Sequence, residues 1–592
     1  MTDKKPTPEG PEWISSFSKF GDWEEVARQS QSLMAQFFGQ KLDANPFAPP
    51  AALTAFGNLF GALVRSPDKL ARAQQDLAHK QSELIRHILA KSGAEGGDTL
   101  APIKDRRFRS EEWDKNVAYN ALMHSYLLGA EWLRTIVGDS DDLAPRDKKN
   151  VEFFTNQFID AASPTNYLLT NPDAVKKTIE TGGQNLVKGL ANMAQDLASG
   201  AGHVRRADFA AFELGKNIAS TEGSVVLRTP MMELLQFEPA TEKVSTVPLL
   251  LIPPWVNKYY LFDLQKKSSF IKWAVDQGYT VFAISWINPD ASYADKDFED
   301  YWLEGPGAAF DAIEKITGQS KVNLFGYCLG GTLTVSGLAY LAAKGDDRAN
   351  SATMVATLTD FSDFGDFEVF VTEEQIDTIE QYIRNKQFLD AGDLSRLFSL
   401  LRANDLIWSS AISSYLMAED AVASDLLFWF SDGIGMPAKM LDTFMRKVIL
   451  DNGLTKAGTV KIAGTGLDMQ KVETPLYFVA LKDDHVAHWE QAYRGAKRFA
   501  APKTFVLGGS GHNAGTINPP AAKKHGYWTN DRFADTPEAW LKGAERHEGS
   551  WWTTWSDWLR EKSGPMVEAK PVASGPLPIL EAAPGSYAKT RR

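Results

Sequence analysis

Cys328, the single cysteine of the chain, lies in a segment whose residues could present a nucleophile. An apolar run, Val322–Phe325, leads into Gly326-Tyr-Cys328-Leu-Gly330-Gly331, and small residues at helical spacing follow. This pattern is typical of a sharp strand-to-helix turn that exposes a nucleophilic side chain. A side chain at position 326 or 330 would crowd that turn. A thiol placed there indicates acyl transfer through a covalent thioester, whereas the alternative is a buried structural cysteine beside a glycine-rich turn.

A thiol nucleophile needs a base, and His512 is the best placed of the nine histidines. It lies in the glycine-rich loop Leu507–Gly515, directly after the last predicted strand. An acid is expected where the preceding strand ends, and Asp483 and Asp484 both qualify by position. The chain order nucleophile, acid, base is then that of the α/β-hydrolase fold. His485 could be another base, but it directly follows the acid, and we expect it to orient that turn.

The tetrahedral intermediate of acyl transfer is stabilised by backbone donors. One is expected from Leu329, the residue after the nucleophile, and the second from the loop that follows an earlier strand. Trp255 and Val256 are the candidates in that loop, and we favour Val256. Candidates for the substrate pocket come from the same region, namely Trp255, Asn257, Tyr259, Tyr260 and Asp263.

The elements that must position these residues follow a change in periodicity near residue 222. From there, strands with unbroken apolar runs alternate with helical stretches, which is typical of a parallel sheet covered on both faces. The predicted strands span 224–228, 233–237, 247–252, 280–285, 322–325, 353–358, 476–481 and 504–507. We therefore predict an α/β-hydrolase fold with a helical N-terminal domain and a cap insertion after the sixth core strand.

Six segments are expected along the chain. They are a variable helical N-terminal segment (1–100), a helical N-terminal domain (101–220), the first part of the hydrolase core with the nucleophile (221–360), a cap (361–474), the second part of the core with the acid and the base (475–562) and an extended C-terminal tail (563–592). In the first segment Trp13, Phe17 and Phe20 fall near helical spacing. They indicate a helix that docks on the protein itself or on an apolar partner.

Aromatic residues are concentrated in the predicted cap. They are Phe361, Phe364, Phe367, Phe370, Trp408, Phe428, Trp429 and Phe430. Most are expected to be ordinary core. Together with the loop after the early strand, they could also provide a dry pocket that keeps water from an acyl-enzyme.

The composition argues against several classes of protein. A net charge of −12 argues against nucleic acid as the main partner. One cysteine cannot form an intramolecular disulfide, the N-terminus lacks the apolar stretch of a signal peptide, and no apolar run reaches the roughly 20 residues that span a bilayer. We therefore expect a cytosolic protein without a membrane span. Since we find no glycine pattern of a nucleotide-binding loop and no separate cluster of metal ligands, we expect no metal and no cofactor.

These residues and further segments resemble the class I polyhydroxyalkanoate synthases. The strongest matches are Pro253–Tyr260, Ser285–Asp290, Gly326–Gly331, Asp484–His485 and Ser510–Pro520. Other matching segments are Asp105–Phe108, Ser163–Tyr167, Gly183–Asn185, Ala211–Gly215, Asn404–Trp408, Asp425–Trp429 and Gly549–Trp552. The first hundred residues match poorly.

The resemblance implies an enzyme that polymerises (R)-3-hydroxyacyl-CoA into a polyester and releases CoA. Short-chain acyl groups such as 3-hydroxybutyryl are the usual monomers. It assigns Cys328 as the nucleophile, His512 as the base and Asp484, rather than Asp483, as the third member. It also implies a homodimer on the surface of cytoplasmic polyhydroxyalkanoate granules, with granule-associated phasins as further partners.

Two other functions stay open from the residues. A thioesterase, esterase or polyhydroxyalkanoate depolymerase would use the same triad with water as the acceptor, since the turn at the nucleophile does not specify the acceptor. A non-catalytic granule-associated protein is the other, and the intact set of Cys328, Asp484 and His512 argues against it. The role of Asp484 is also open, because it could orient His512 or help to activate the attacking hydroxyl.

Overall fold

The computed structural model describes residues 50–92, 103–140, 142–198 and 204–591. The apolar pattern of Trp13, Phe17 and Phe20 lies outside these described residues. Among the helices within them, none combines the length and the apolar character needed to cross a membrane.

The N-terminal part of the described chain is helical up to Ala198. Its helices span Pro50–Arg65, Pro67–Ser92, Glu112–Lys115, Val117–Gly138, Pro145–Ala161, Pro172–Glu180 and Gln184–Ala198. Asn116 and Asn171 begin two of them, because each side chain accepts hydrogen bonds from N–H groups of the first turn. Residues 204–220 form a short 3₁₀ turn, Phe209–Ala211, in otherwise irregular chain. The helical domain therefore ends before the predicted residue 220.

An eleven-stranded sheet lies at the centre of the molecule. The strands of the described chain are β1 (Gly223–Arg228), β2 (Met232–Phe237), β3 (Lys243–Ser245), β4 (Leu249–Ile252), β5 (Val281–Trp286), β6 (Val322–Tyr327), β7 (Ala349–Val355), β8 (Phe388–Leu389), β9 (Met436–Pro437), β10 (Lys461–Ile462), β11 (Thr465–Gly466), β12 (Leu476–Leu481), β13 (Lys503–Gly508), β14 (Tyr527–Thr529), β15 (Glu545–His547), β16 (Met566–Glu568) and β17 (Glu581–Ala582). The order in the large sheet is β15-β14-β13-β12-β7-β6-β4-β5-β2-β1-β17.

The middle of the sheet is parallel, as predicted. Strands β13, β12, β7, β6, β4 and β5 pair in parallel, and β2, β1 and β17 on one side and β14 and β15 on the other pair antiparallel. Every residue of β4, β5, β6 and β12 is buried, since helices cover both faces, and this explains why their apolar runs do not alternate. The covering helices span Phe270–Asp276, Phe298–Trp302, Ala308–Thr317, Leu329–Lys344, Trp489–Lys497, His512–Thr516, Pro537–Lys542 and Trp551–Arg560.

Strand β7 begins and ends earlier than the predicted strand at 353–358. Polar residues at its start interrupt the apolar pattern from which the strands were predicted. They are accommodated in the strand because the side chains of Asn350 and Ser351 both donate to Asn323 Oδ1 at 2.8 Å. The strand ends before Ala356, whose φ of 49° leaves the extended region. Buried polar side chains that bond to one another can thus replace apolar residues in a central strand.

The cap follows β7, the sixth strand of the large sheet in chain order, as predicted. Its helical segments are Gly365–Phe370, Glu373–Ile383, Ala391–Leu400, Asn404–Trp408, Ser409–Ala411, Ile412–Leu416, Asp425–Phe430, Ala438–Thr443 and Phe444–Leu450. The N-terminal helices contact it directly. Arg146 donates to the carbonyl oxygen of Val371 at 2.8 Å, and Lys149 forms an ion pair with Glu368 at 2.7 Å.

The C-terminal residues do not form the extended tail that we predicted. Strand β16 pairs with β3, β17 adds to the edge of the large sheet beside β1, and the helix Gly585–Lys589 follows. Val572 and Ala588 are buried in these contacts. The prediction was wrong because the two strands are only two and three residues long and pair with strands more than 300 residues earlier.

Candidate active site

Cys328 lies at the sharp turn between β6 and the helix Leu329–Lys344. Its backbone angles, φ 51° and ψ −123°, are rarely adopted by a residue with a side chain, so the turn is strained. A Cβ at Gly330 would lie 2.1 Å from the carbonyl oxygen of Ile252, and one at Gly326 would lie 2.6 Å from a backbone carbon of the turn. Both positions therefore require glycine, as the sequence predicted.

Hydrogen bonds hold the backbone of Cys328 in this conformation. The Cys328 N–H donates to the carbonyl oxygen of Val355 at 2.9 Å, and the Cys328 carbonyl oxygen accepts from the N–H groups of Gly331 and Thr332 at 2.9 and 3.1 Å. The side chain is half-buried and lies on the wall of a cavity. The sheet thus presents the sulfur to this cavity.

His512 and Asp484 form a buried hydrogen-bonded pair beside the sulfur. His512 Nδ1 lies 2.7 Å from Asp484 Oδ2, and Asp484 Oδ1 accepts from the N–H groups of Val486 and Ala487 at 2.8 and 2.9 Å. The Asp484 side chain is fully buried, whereas Asp483 is exposed. Of the two acids that the strand end offers, the structure places Asp484 against the histidine.

The electrostatic surroundings of His512 favour its protonated form. Burial lowers the pKa of His512, but the Asp484 carboxylate, the Cys328 sulfur and hydrogen bonding to both raise it, and the pKa ends at about 10. The histidine is therefore suited to hold a proton next to a thiolate.

Tyr327 and Asn513 support this arrangement and were not singled out from the sequence. The Tyr327 hydroxyl donates to Asn513 Oδ1 at 2.6 Å, and the Tyr327 ring lies 5.2 Å from the His512 ring between centroids. Each residue directly adjoins a member of the Cys328 and His512 pair in the chain. Their positions next to Cys328 and His512 in the chain could have identified them. If Cys328 and His512 lie close together, the residues beside them must also lie close together.

The loop after β4 brings Val256 to the same cavity as Cys328 and Leu329. The Val256 carbonyl oxygen accepts from the N–H of Ile434 in the cap at 2.9 Å. Trp255, the other candidate for a backbone donor, points into the protein core and packs against Phe444 with ring centroids 5.0 Å apart. Of the predicted donor residues, Val256 and Leu329 thus line the cavity that Cys328 faces.

Of the five residues that we predicted for the substrate pocket, only Asn257 lines the described cavity. Trp255, Tyr259, Tyr260 and Asp263 are fully buried elsewhere. The Tyr260 hydroxyl donates to Asp432 at 2.6 Å, and Asp263 accepts from Ser269 at 2.7 Å and from Thr221. These four side chains therefore pack behind the loop, on the side away from the cavity.

The cavity has a volume of about 340 Å³ and lies between the sheet and the cap. Its walls are mostly apolar and include six of the eight cap aromatics noted in the sequence, namely Phe361, Phe364, Phe367, Phe370, Trp429 and Phe430, together with Phe398 and Phe444. Trp408 and Phe428 do not line it. Most of the aromatic residues noted in the cap therefore line the cavity that Cys328 faces.

Polar side chains that the sequence did not single out line one part of the cavity. Arg402 and Asp405 belong to both this cavity and a second, polar cavity of about 530 Å³ between the cap and the N-terminal helices. The Arg402 guanidinium lies 3.4 Å from His485 Nδ1. His485 thus faces a cap arginine on the cavity wall. The two residues are separated by more than 80 positions, so no local pattern links them.

Comparisons with known proteins agree with this architecture. A family profile described as the N-terminus of poly-beta-hydroxybutyrate polymerase (PhaC) matches residues 104–274, and a profile described as the alpha/beta hydrolase fold matches residues 248–519. The second match and the sheet together confirm the predicted fold.

Curated relatives match almost the whole chain. The poly(3-hydroxyalkanoate) polymerase subunit PhaC of Rhizobium meliloti (strain 1021) is 38% identical over 559 residues, which cover 93% of this chain and 91% of the relative. The poly(3-hydroxyalkanoate) polymerase of Methylorubrum extorquens is 37% identical over 595 residues, covering 96% and 98%. The subunit PhaC of Cupriavidus necator (strain H16) is 37% identical over 576 residues, covering 96% and 95%. By these matches over nearly its full length, the chain belongs to the poly(3-hydroxyalkanoate) polymerase family.

Proposed function

We propose that the protein polymerises (R)-3-hydroxyacyl-CoA into a polyester and releases CoA, with Cys328 as the residue that carries the acyl chain. One observation carries the proposal. Cys328 and His512 line a largely apolar cavity, and Asp484 is hydrogen-bonded to His512 behind them, in a chain that matches the polymerase family over nearly its full length. Sulfur suits the reaction, because thioester exchange with a CoA thiol is nearly balanced while the enzyme thioester can still acylate a hydroxyl.

The first half-reaction is acylation of the enzyme. His512 Nε2 takes the proton of the Cys328 thiol, and the thiolate attacks the carbonyl carbon of the acyl-CoA thioester. The bond between that carbon and the CoA sulfur then breaks, and the CoA thiolate receives the proton from His512. The pKa of His512, raised by Asp484 and the Cys328 sulfur against the effect of burial, supports the imidazolium that this sequence passes through.

The tetrahedral oxyanion of each step is held by the N–H groups of Leu329 and Val256. Both residues line the cavity that Cys328 faces, and Leu329 begins the helix that follows Cys328. A helix N-terminus adds a favourable field for negative charge. Each such donor contributes about 3 kcal/mol to stabilisation of the transition state.

The second half-reaction forms the ester bond. The 3-hydroxyl of an incoming hydroxyacyl-CoA gives its proton to His512 and attacks the thioester carbonyl at Cys328. The carbon–sulfur bond breaks, which restores the Cys328 thiolate beside protonated His512 and leaves the lengthened chain on CoA. That acyl-CoA then acylates Cys328 again, and CoA leaves with the proton from His512. Asp484 orients His512 in this scheme. Its two oxygens are occupied by His512 and by the Val486 and Ala487 N–H groups, it does not border the cavity, and these contacts support the orienting role over direct activation of the hydroxyl.

Polymerisation requires that water not intercept the acyl-enzyme. The aromatic cap residues around the sulfur support this, because an apolar enclosed wall offers water few partners. We take the monomers to be short-chain, such as 3-hydroxybutyryl. Side-by-side turnover of 3-hydroxybutyryl-CoA and 3-hydroxyoctanoyl-CoA would test that preference, and equal kcat/KM for the two would contradict it.

The test of the proposal is an assay of the purified protein with (R)-3-hydroxybutyryl-CoA, beside the Cys328→Ala variant. CoA release and the form of the acyl product are followed together. We expect CoA release with insoluble polymer from the unmodified protein and neither product from Cys328→Ala. CoA release with only soluble 3-hydroxybutyrate would indicate a thioesterase. No release from either 3-hydroxybutyryl-CoA or 3-hydroxyoctanoyl-CoA would overturn the proposal.

The site of action that we propose is the surface of the polyester granule, where the enzyme would work as a homodimer. An insoluble product held covalently on Cys328 supports this, since the enzyme cannot leave a chain that it is extending. A version lacking residues 1–100 tests the role of the first segment. Granule attachment that is lost while turnover is kept would assign attachment to that segment.

A further inference from the structure

Lys258 is a buried cation at the end of the loop that carries Val256. It is 2% exposed, and its Nζ lies 2.9 Å from Asp432 Oδ1. Nζ also donates to the carbonyl oxygens of Ala588 and Thr590 at 2.7 and 2.8 Å. All three protons of the ammonium group thus have an acceptor, two of them at the C-terminal end of the chain.

Asp432 completes a buried polar cluster around this ammonium group. Its Oδ2 accepts from the Tyr260 hydroxyl at 2.6 Å, and Arg591 Nε lies 3.6 Å from its Oδ1. Burial lowers the pKa of Lys258, and the nearby Asp432 carboxylate opposes that shift. A buried pair of this kind is sensitive to removal of either partner, because the remaining charge would lose its compensation.

The cluster is connected to the loop that carries Val256, the predicted oxyanion donor. Three consecutive loop residues are attached to one cap segment, Trp429–Ile434. The Val256 carbonyl oxygen accepts from the Ile434 N–H at 2.9 Å, Asn257 forms a β-bridge with Gly433, and the Lys258 carbonyl oxygen accepts from Trp429 Nε1 at 2.7 Å. The backbone from Val256 to Lys258 is thereby attached to the cap segment that contains Asp432.

The C-terminal residues that reach this cluster also contact the sheet and two aromatic rings. The Tyr587 N–H donates to Glu233 Oε2 at 3.0 Å, and the Tyr587 hydroxyl donates to the Thr229 carbonyl oxygen at 3.0 Å. The Arg591 guanidinium lies 4.9 Å from the ring centroids of both Phe209 and Phe428. The C-terminal residues therefore contact both the sheet, through Tyr587, and the cap, through Arg591.

We propose that Lys258, Asp432 and the carbonyl groups of Ala588 and Thr590 form a positioning unit for the oxyanion donor Val256. The unit joins the loop, the cap and the C-terminal residues at one point, and its members do not line the described cavity. They are positioning residues, which act on the reaction through Val256. The inference rests on the proposed function, since an oxyanion donor has a role only in acyl transfer.

Two variants test this unit. Asp432→Asn keeps the shape of the side chain and removes its charge, and a chain ending at Tyr587 removes both carbonyl acceptors but keeps the contacts with Glu233 and Thr229. The readouts are kcat and KM for CoA release from (R)-3-hydroxybutyryl-CoA and the rate of Cys328 alkylation by iodoacetamide. Alkylation forms the carbon–sulfur bond with loss of iodide and passes through no oxyanion. It is read at a single site because the chain has one cysteine.

We expect kcat to fall by about 10-fold to 100-fold in both variants, because a misdirected oxyanion donor weakens transition-state stabilisation. KM should stay within about 3-fold and the alkylation rate within about 2-fold, since the sulfur and His512 are not displaced. The control is Lys321→Met, which breaks an exposed ion pair with Asp347 and should change none of the three values.

An unchanged kcat in both variants would overturn the inference, and so would a parallel fall of kcat and alkylation, which would indicate a purely structural role. If Asp432→Asn does not fold, the shortened chain decides the question. If the unmodified protein releases no CoA, the proposed function fails instead. Release of 4-nitrophenol from an ester, which needs the same oxyanion donors, then tests the positioning unit.

Discussion

The two sides of the cavity are built in different ways. On the sheet side, Cys328, Asp484 and His512 stand at strand ends, and directional hydrogen bonds of 2.7 to 3.1 Å hold them. On the cap side, aromatic rings pack at varied angles, with Phe364 and Phe367 stacked and Phe367 and Phe398 edge to face. The sheet side depends on directional bonds and the cap side on apolar area.

The difference agrees with the separate tasks that the proposed mechanism gives to the two sides of the cavity. Acyl transfer requires atoms placed within fractions of an ångström, and only hydrogen-bonded backbone at strand ends gives that accuracy. Exclusion of water requires an apolar wall of adequate area, and the hydrophobic effect that assembles such a wall has no preferred direction. Substitutions on the sheet side should therefore stop the reaction, and substitutions on the cap side should change its outcome.

The largest effect is expected for Asp484→Asn. Loss of the carboxylate removes the hydrogen bond that orients His512, and we expect kcat for CoA release to fall by about 10³-fold. The matched control is Asp483→Asn, the exposed neighbouring acid, which should stay within about 2-fold. Steady-state CoA release measures both. Comparable losses in the two variants would show that the buried pair is not what orients the histidine.

A pair of glycine substitutions compares the two sides through stability. In Gly330→Ala the new Cβ would lie 2.1 Å from the Ile252 carbonyl oxygen, and we expect the protein to lose about 3 kcal/mol of stability. In Gly433→Ala, in the cap, the nearest atoms lie at 3.6 Å, so the change should stay within about 0.5 kcal/mol. Calorimetric unfolding distinguishes them, and equal stability of the two variants would contradict the crowding at the nucleophile.

A cap substitution should alter the product instead of the rate. Phe398→Ala opens part of the aromatic wall, so we expect the ratio of free 3-hydroxybutyrate to polymer to rise about 3-fold while CoA release changes by less than about 3-fold. Trp408→Ala, a cap aromatic that does not line the cavity, serves as the control. An unchanged ratio in a folded Phe398→Ala variant would argue against water exclusion by the cap.

The smallest effect concerns pH. The folded pKa of His512, at about 10, exceeds the unfolded value of 6.5, so its protonated form stabilises the folded state fully below pH 6.5. That contribution is lost as pH rises through about 10. The melting temperature of the unmodified protein should therefore exceed that of Asp484→Asn by several degrees near pH 6 and by less near pH 10. For Phe398→Ala, the difference should not change with pH. A constant difference for Asp484→Asn would contradict the raised pKa.

Some features of the site could be predicted from the sequence because they are local requirements. The glycines at 326 and 330 are needed wherever a strand turns sharply into a helix, whatever surrounds the turn. The positions of His512 and of an acid at 483 or 484 followed from buried strands, whose unbroken apolar runs mark their own ends. The fold and the cap insertion could be predicted for the same reason.

The tertiary structure alone decided which side chains of a loop face the cavity. Nothing in the local pattern around Trp255, Tyr259, Tyr260 and Asp263 shows that they point into the core, because the loop has no regular period. The C-terminal strands and the contacts of Lys258 were equally hidden, since their partners lie hundreds of residues away. Local sterics and strand periodicity are determined by residues close together in the sequence. The orientation of loop side chains and the pairing of distant segments depend instead on how the whole chain packs.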